Sequence, residues 1–129
     1  MKIVVLIARI LLGLMFFIFG LDTFIHFIPA VPPTEGLAGA FLGALIHSHY
    51  VLFIGGVQLI AGALLLMNRY VPLALVLLAP VLANIVVFHL TMQPQGLPPG
   101  LVAVVLWLVL AAKLRTYFAP LFVQKAAFN

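Results

Sequence analysis

Four long apolar runs leave this chain few folds to choose from. A hydrocarbon core about 30 Å thick is crossed by about 20 consecutive apolar residues in a helix. Backbone polar groups inside it must be bonded within the protein, which only helices and closed barrels achieve. The runs are continuous rather than alternating and too long for strands, so they read as helices. The expected spans are 3–28, 50–67, 71–92 and 100–118. With 67% hydrophobic and 6% charged residues, against about a quarter charged in an ordinary soluble domain, the expectation is all-α. The chain reads as one integral membrane four-helix bundle over 1–129, with the lipid bilayer as its first partner.

The first run is longer than it needs to be. From Ile3 to Ile28 a helix would measure about 39 Å, so one end protrudes. If 3–22 is immersed, Arg9 snorkels and Asp22 sits at the outer boundary. If 10–28 is immersed, Arg9 sits at the inner boundary and Asp22 and His26 are inside, and the residues leave both placements open. Arg9 also interrupts what would be the apolar core of a signal peptide, and no small-x-small site follows, so the first helix is expected to be retained. Pro29, Pro32 and Pro33 should end it. Residues 36–46, GLAGAFLGALI, are apolar but too short to span. They are expected to be interfacial or re-entrant, a candidate lid. The stretch QPQGLPPG at 93–100 is strong punctuation before the last span.

Charge orients the bundle. Lys2, Arg9, Arg69, Lys113, Arg115 and Lys125 all fall on one side of a four-span arrangement, while Asp22, Glu35, His26, His47 and His49 fall on the other. That asymmetry predicts cytoplasmic N- and C-termini. The basic residues are scattered at helix ends rather than gathered on one soluble face, so no nucleic-acid partner is expected. The chain has no cysteine, which excludes disulfides, thiolate metal sites and thiol chemistry.

Function has to be sought in the polar residues inside the apolar runs, as in APVLANIVVFHL at 79–90. Gln58 and Asn84 each lie about 12 Å below the outer end of their spans by helical rise. His89 lies one to two turns nearer the outside. An unpaired amide in hydrocarbon costs several kcal/mol, so both amides are expected to face the bundle. They act either as interhelical glue, worth about 0.6 kcal/mol per bond, or as part of a site, since ionisable groups within a membrane mark function. Asp22 and His26 are spaced i, i+4, where a carboxylate would orient an imidazole as a proton acceptor, or both are solvated at a helix end.

Arg9, Gly13, Phe16 and Gly20 form one stripe and Gly55, Gln58 and Gly62 another; both read mainly as packing surfaces. His47 and His49 form a weak HxH candidate for zinc or copper, and no metal is expected. There is no phosphate-binding loop, no GxSxG, no HExxH and no evident nucleophile, so the isolated chain leans away from being an enzyme.

RILLGLMFFIFGLDTF (9–24) and GVQLIAGALLLMNRYVPLALVLLAPVLANIVVFH (56–89) resemble the DoxX family of small four-helix membrane proteins. The resemblance covers nearly the whole chain and rests mostly on glycines among apolar residues. It implies a bundle in a bacterial cytoplasmic membrane. Some members are associated with quinone-linked sulfur oxidation or with oxidant-defence complexes. Gln58 stands where such proteins often carry an acid.

The resulting expectation is an accessory subunit in membrane redox metabolism with an outer-leaflet pocket for a quinone-like or other lipid-soluble small molecule. Phe16, Phe17, Phe24 and Phe88 would form its walls, and Asp22, His26, Gln58, Asn84 and His89 would bond the polar head. A quinone or a lipid is the expected cofactor, and a larger membrane complex or a homo-oligomer the expected protein partner. The alternatives are a purely structural or assembly subunit and, less favoured, a small transporter.

Overall fold

The computed structural model describes residues 2–128. Its helices are α1 (Lys2–Ile25), α2 (Gly36–His47), α3 (Tyr50–Met67), α4 (Val71–Thr91), α5 (Leu97–Lys113) and the short α6 (Arg115–Phe118). One 3-10 turn, Pro94–Gly96, leads into α5, and another, Ala119–Phe122, follows α6. α1, α3, α4 and the segment Pro94–Lys113 are each long and apolar enough to cross a membrane. The all-helical, multi-pass bundle expected from the sequence is present.

The four spans form a ring: α1 packs on α3 and α5, and α4 packs on α3 and α5. Each contributes an inward stripe at helical spacing: Ala8, Leu12 and Phe16; Ala61 and Leu65; Val71, Ala74, Leu75, Leu78 and Leu82; Ala103 and Leu110. The outward faces are also apolar. Ile3, Phe53, Ile60 and Leu90 are all more than half exposed, an arrangement suited to lipid and unsuited to water.

The closest approach in the bundle is between α1 and α3, and glycine makes it possible. A Cβ on Gly20 would lie 2.6 Å from the Leu59 amide nitrogen and 2.8 Å from the Gly55 carbonyl oxygen. A Cβ on Gly62 would lie 2.8 Å from Phe17 Cα and 2.9 Å from the Gly13 oxygen. The pairs run in opposite chain directions, so α1 and α3 are antiparallel. Within lipid there is no hydrophobic force between helices, so backbone approach of this kind supplies the attraction.

Helix ends follow local chemistry more than the apolar pattern. α1 stops at Ile25, three residues before the expected end. His26 enters the left-handed region (φ 49°), its amide still bonds the Asp22 carbonyl at 2.8 Å, and the Ile28 amide donates to Asp22 Oδ1 at 2.7 Å. At the far end of α3, Asn68 is left-handed (φ 55°) and the Arg69 amide reaches back to the Leu64 oxygen at 3.0 Å, a glycine-type helix stop made with asparagine. Arg9 Nη1 donates to the carbonyls of Leu65 and Leu66 in the same turn. α5 begins at Leu97, not near Gly100, because Pro98 and Pro99 fall in its first turn, where no amide has a helical partner.

α2 packs on α3, and its Phe41 ring sits 5.6 Å from that of Phe88 on α4. At 12 residues it is about 18 Å long, too short to span.

Candidate functional site

In the half of the bundle away from the basic residues, α1, α3, α4 and the start of α5 border a half-open cavity of about 300 Å³. Met15, Phe16 and Phe19 line it from α1, Gln58 from α3, and Ile85 and His89 from α4. Gly96, Pro99, Gly100 and Ala103 complete it. The space exists because this last wall is built of small residues. A Cβ on Gly100 would already lie 3.3 Å from Ile85 Cγ2. The volume is at the low end of the roughly 300–1,000 Å³ typical of small-molecule sites, and the lining is mostly apolar with few polar groups, as such sites are.

Two polar side chains line this cavity. His89 Nδ1 lies 3.0 Å from the Gln93 carbonyl oxygen. A carbonyl can only accept, so Nδ1 carries a proton and donates; in that tautomer Nε2 is a hydrogen-bond acceptor. The imidazole also packs against the chain at Gly96 through its Nδ1–Cε1 side, where a Cβ would lie 2.5 Å from Cε1. Its orientation is therefore set by the turn that carries the cavity wall. Gln58 is half-buried, and its amide has no side-chain hydrogen bond among the described residues. In a membrane-spanning segment such a group calls for a partner.

Of the nine candidate residues, then, the structure brings Phe16, Gln58 and His89 together around one space. Asn84 is elsewhere. It is exposed, on the outer surface of α4, and its Nδ2 donates to the Pro80 carbonyl one turn back at 2.8 Å. The expectation that it faces Gln58 is corrected. The Asp22–His26 pair also does not form: Asp22 is occupied by the Ile28 amide, and His26 is exposed beyond the helix end. Phe17 belongs to the α1–α3 seam, where its backbone meets Gly62. Phe24 is 44% exposed, and Phe88 stacks on Phe41 and on the edge of His89 rather than lining the cavity.

α2, expected as a candidate lid, contributes no residue to the lining. His47 Nδ1 donates to the Gly43 carbonyl at 2.9 Å, and His49 is the left-handed residue (φ 64°) that joins α2 to α3. Among the described residues no group of three or more His, Cys, Asp or Glu side chains converges on a metal position.

Met15, Phe19 and the small residues of the α5 wall were not singled out in the sequence. Phe19 lies one turn from Met15 and Phe16 on the same helix face, and that spacing was the available signal. Trp107 was also missed. Its indole Nε1 donates to the Leu75 carbonyl at 2.9 Å, one residue before the carbonyl that Pro80 deprives of a helical donor. It thereby ties α5 to α4 midway along the bundle.

No family model, no curated protein and no solved structure matches this chain.

Proposed function

We propose that the cavity binds a small lipid-soluble molecule with a carbonyl or hydroxyl head group. Quinones are the class implied by the resemblance to the DoxX family. On this reading the chain is an accessory subunit of membrane redox metabolism in a bacterial cytoplasmic membrane, with both termini on the cytoplasmic side by its charge asymmetry. The carrying observation is the Gln58 amide, without a side-chain hydrogen bond among the described residues, on the wall of an otherwise apolar cavity that His89 also lines.

The chemistry of the two groups is complementary. A carbonyl head accepts from the Gln58 amide. A hydroxyl head donates to His89 Nε2, the acceptor of the tautomer that donates from Nδ1 to Gln93. Phe16 and Phe19 supply aromatic faces for a flat ring. The role is binding and presentation, with electrons carried by a partner.

Trp107 makes this testable, because it is the chain's one tryptophan and follows Ala103 of the cavity wall by one turn of α5. In nanodiscs, a short-chain ubiquinone should quench its emission saturably. Gln58→Leu and His89→Leu should abolish the saturable part, and Asn84→Leu should leave it intact. Quenching that rises linearly with quinone in the unaltered protein would refute the proposal.

The assembly reading keeps one specific support. Asn84 presents an amide on the exposed surface of α4, where an adjacent membrane helix could hydrogen-bond its free Oδ1. If this face holds a partner or a second copy, Asn84→Leu should shift the protein to a smaller species in native gels of mildly solubilised membranes. Unchanged migration would remove that support.

A further inference from the structure

At the opposite end of the bundle lies a second, larger space of about 510 Å³, bounded by the start of α1, the α3–α4 turn, the start of α4 and the end of α5. Its polar lining is Lys2, Arg9, Lys113, Asn68, Tyr70 and Tyr117, and the rest is aliphatic. Three cations therefore face one cleft with no acid among its lining residues. The chain's two acidic residues are in the last turn of α1 and just before α2, at the other end of the bundle.

Two features add to this charge. The cleft reaches Val71 and Pro72, the first residues of a 21-residue helix whose N-terminus has no side-chain cap. The Val71 amide and the helix dipole favour an anion there, while Pro72 has no amide to offer. Arg9 is half-buried and held in place by the carbonyls of Leu65 and Leu66 through Nη1, so its remaining donors are oriented rather than free to wander. The two tyrosines add phenolic groups of the kind that sit at headgroup depth.

We infer that this cleft is a binding site for an anionic phospholipid of the leaflet at the basic end. Its phosphodiester lies among Lys2, Arg9 and Lys113, and an acyl chain lies along the aliphatic walls between α1 and α5. Basic pockets between membrane helices suit such headgroups. The aliphatic walls, opening to the lipid-facing surface, favour a lipid over free phosphate.

The test uses the full chain, stripped of lipid in a neutral detergent and titrated with short-chain phosphatidylglycerol, short-chain phosphatidylcholine or inorganic phosphate, with occupancy read by native mass spectrometry. Phosphatidylglycerol should bind saturably at one site and at least tenfold more tightly than phosphatidylcholine, and inorganic phosphate should not compete at equal concentration. The double variant Lys2→Gln/Lys113→Gln should weaken phosphatidylglycerol by about thirtyfold, from about one interaction of kcal/mol size per charge. Lys125→Gln, outside the cleft, should not weaken it. Both lysines are exposed, so the fold should survive, and a helical circular dichroism spectrum checks this. Lys113→Gln alone should give an intermediate loss. Equal affinity for the two lipids, full competition by inorganic phosphate, or an unaffected double variant would overturn the assignment.

Discussion

The α1–α3 seam sets a quantitative test. Ordinary van der Waals contact for a Cβ begins near 3.4 Å, and Ala at position 20 would meet backbone atoms at 2.6 and 2.8 Å, Ala at 62 at 2.8 and 2.9 Å. The obstacles are backbone, so no side chain can swing aside. The nearest atom decides the gap: α1 and α3 must part by about 0.8 Å at Gly20 and by about 1 Å at Gly62, where the Phe17 amide nitrogen lies closer still, which forfeits up to about half of each affected dispersion contact. Overpacking of this kind costs about 1–3 kcal/mol, and Gly20→Ala and Gly62→Ala should each lose about 2 kcal/mol. Both residues act on one interface, so the separation forced by the first makes room for the second. The double variant should therefore lose clearly less than the sum, about 3 kcal/mol.

Gly56→Ala is the control. Its Cβ would find only Phe24 Cζ at 4.0 Å, and alanine's better helix propensity predicts no loss and a gain of up to about 1 kcal/mol. Unfolding in mixed micelles of increasing denaturing-detergent fraction, followed by circular dichroism and Trp107 emission, measures all four. Gly62→Ala as stable as the parent, or strict additivity in the double variant, would refute the argument from backbone approach.

Other expectations follow from single hydrogen bonds. Trp107→Phe removes the donor to Leu75 and should cost about 0.5–1.5 kcal/mol, read by circular dichroism in the same titration. Arg9→Met removes a charged donor from two carbonyls at the end of α3. It should cost about 1.5–3 kcal/mol and speed amide hydrogen exchange at Asn68 and Arg69. Asn84→Leu, which breaks only a bond within its own helix turn, should change the monomer's stability by less than about 0.5 kcal/mol. Gly96→Ala should push the His89 ring out of place and weaken saturable quinone quenching without unfolding the bundle.

Residue pattern carried the fold further than it carried the site. The second span coincides with α3 (Tyr50–Met67) and the third with α4 (Val71–Thr91) to within a residue, because Asn68-Arg69 and the Pro/Gly stretch interrupt apolar runs of membrane length. Ends set by one side chain were not readable: nothing in the run Ile3–Ile28 announces that Asp22 will take the Ile28 amide. Pro98 and Pro99 looked like breaks and are instead first-turn residues.

For the site, helical rise gave depth and said nothing of direction. Asn84 and His89 are five residues apart, which turns them about 140° from each other around the helix. They cannot share a face, and His89 took the inward one. The glycine stripes do pack, as their spacing indicated. Arg9, at the head of one stripe, bonds the end of a helix 56 residues away in sequence, a long-range pairing no local pattern encodes.

Between the two cavities the bundle carries its most deeply buried leucines. Leu12, Leu65, Leu75 and Leu78 have no exposed surface and Leu110 almost none, and Trp107 pins α5 to α4 across that layer. The molecule is thus two vestibules set back to back on a dry septum. A continuous opening from one to the other would have to dismantle a layer in which four leucines have no exposed surface at all.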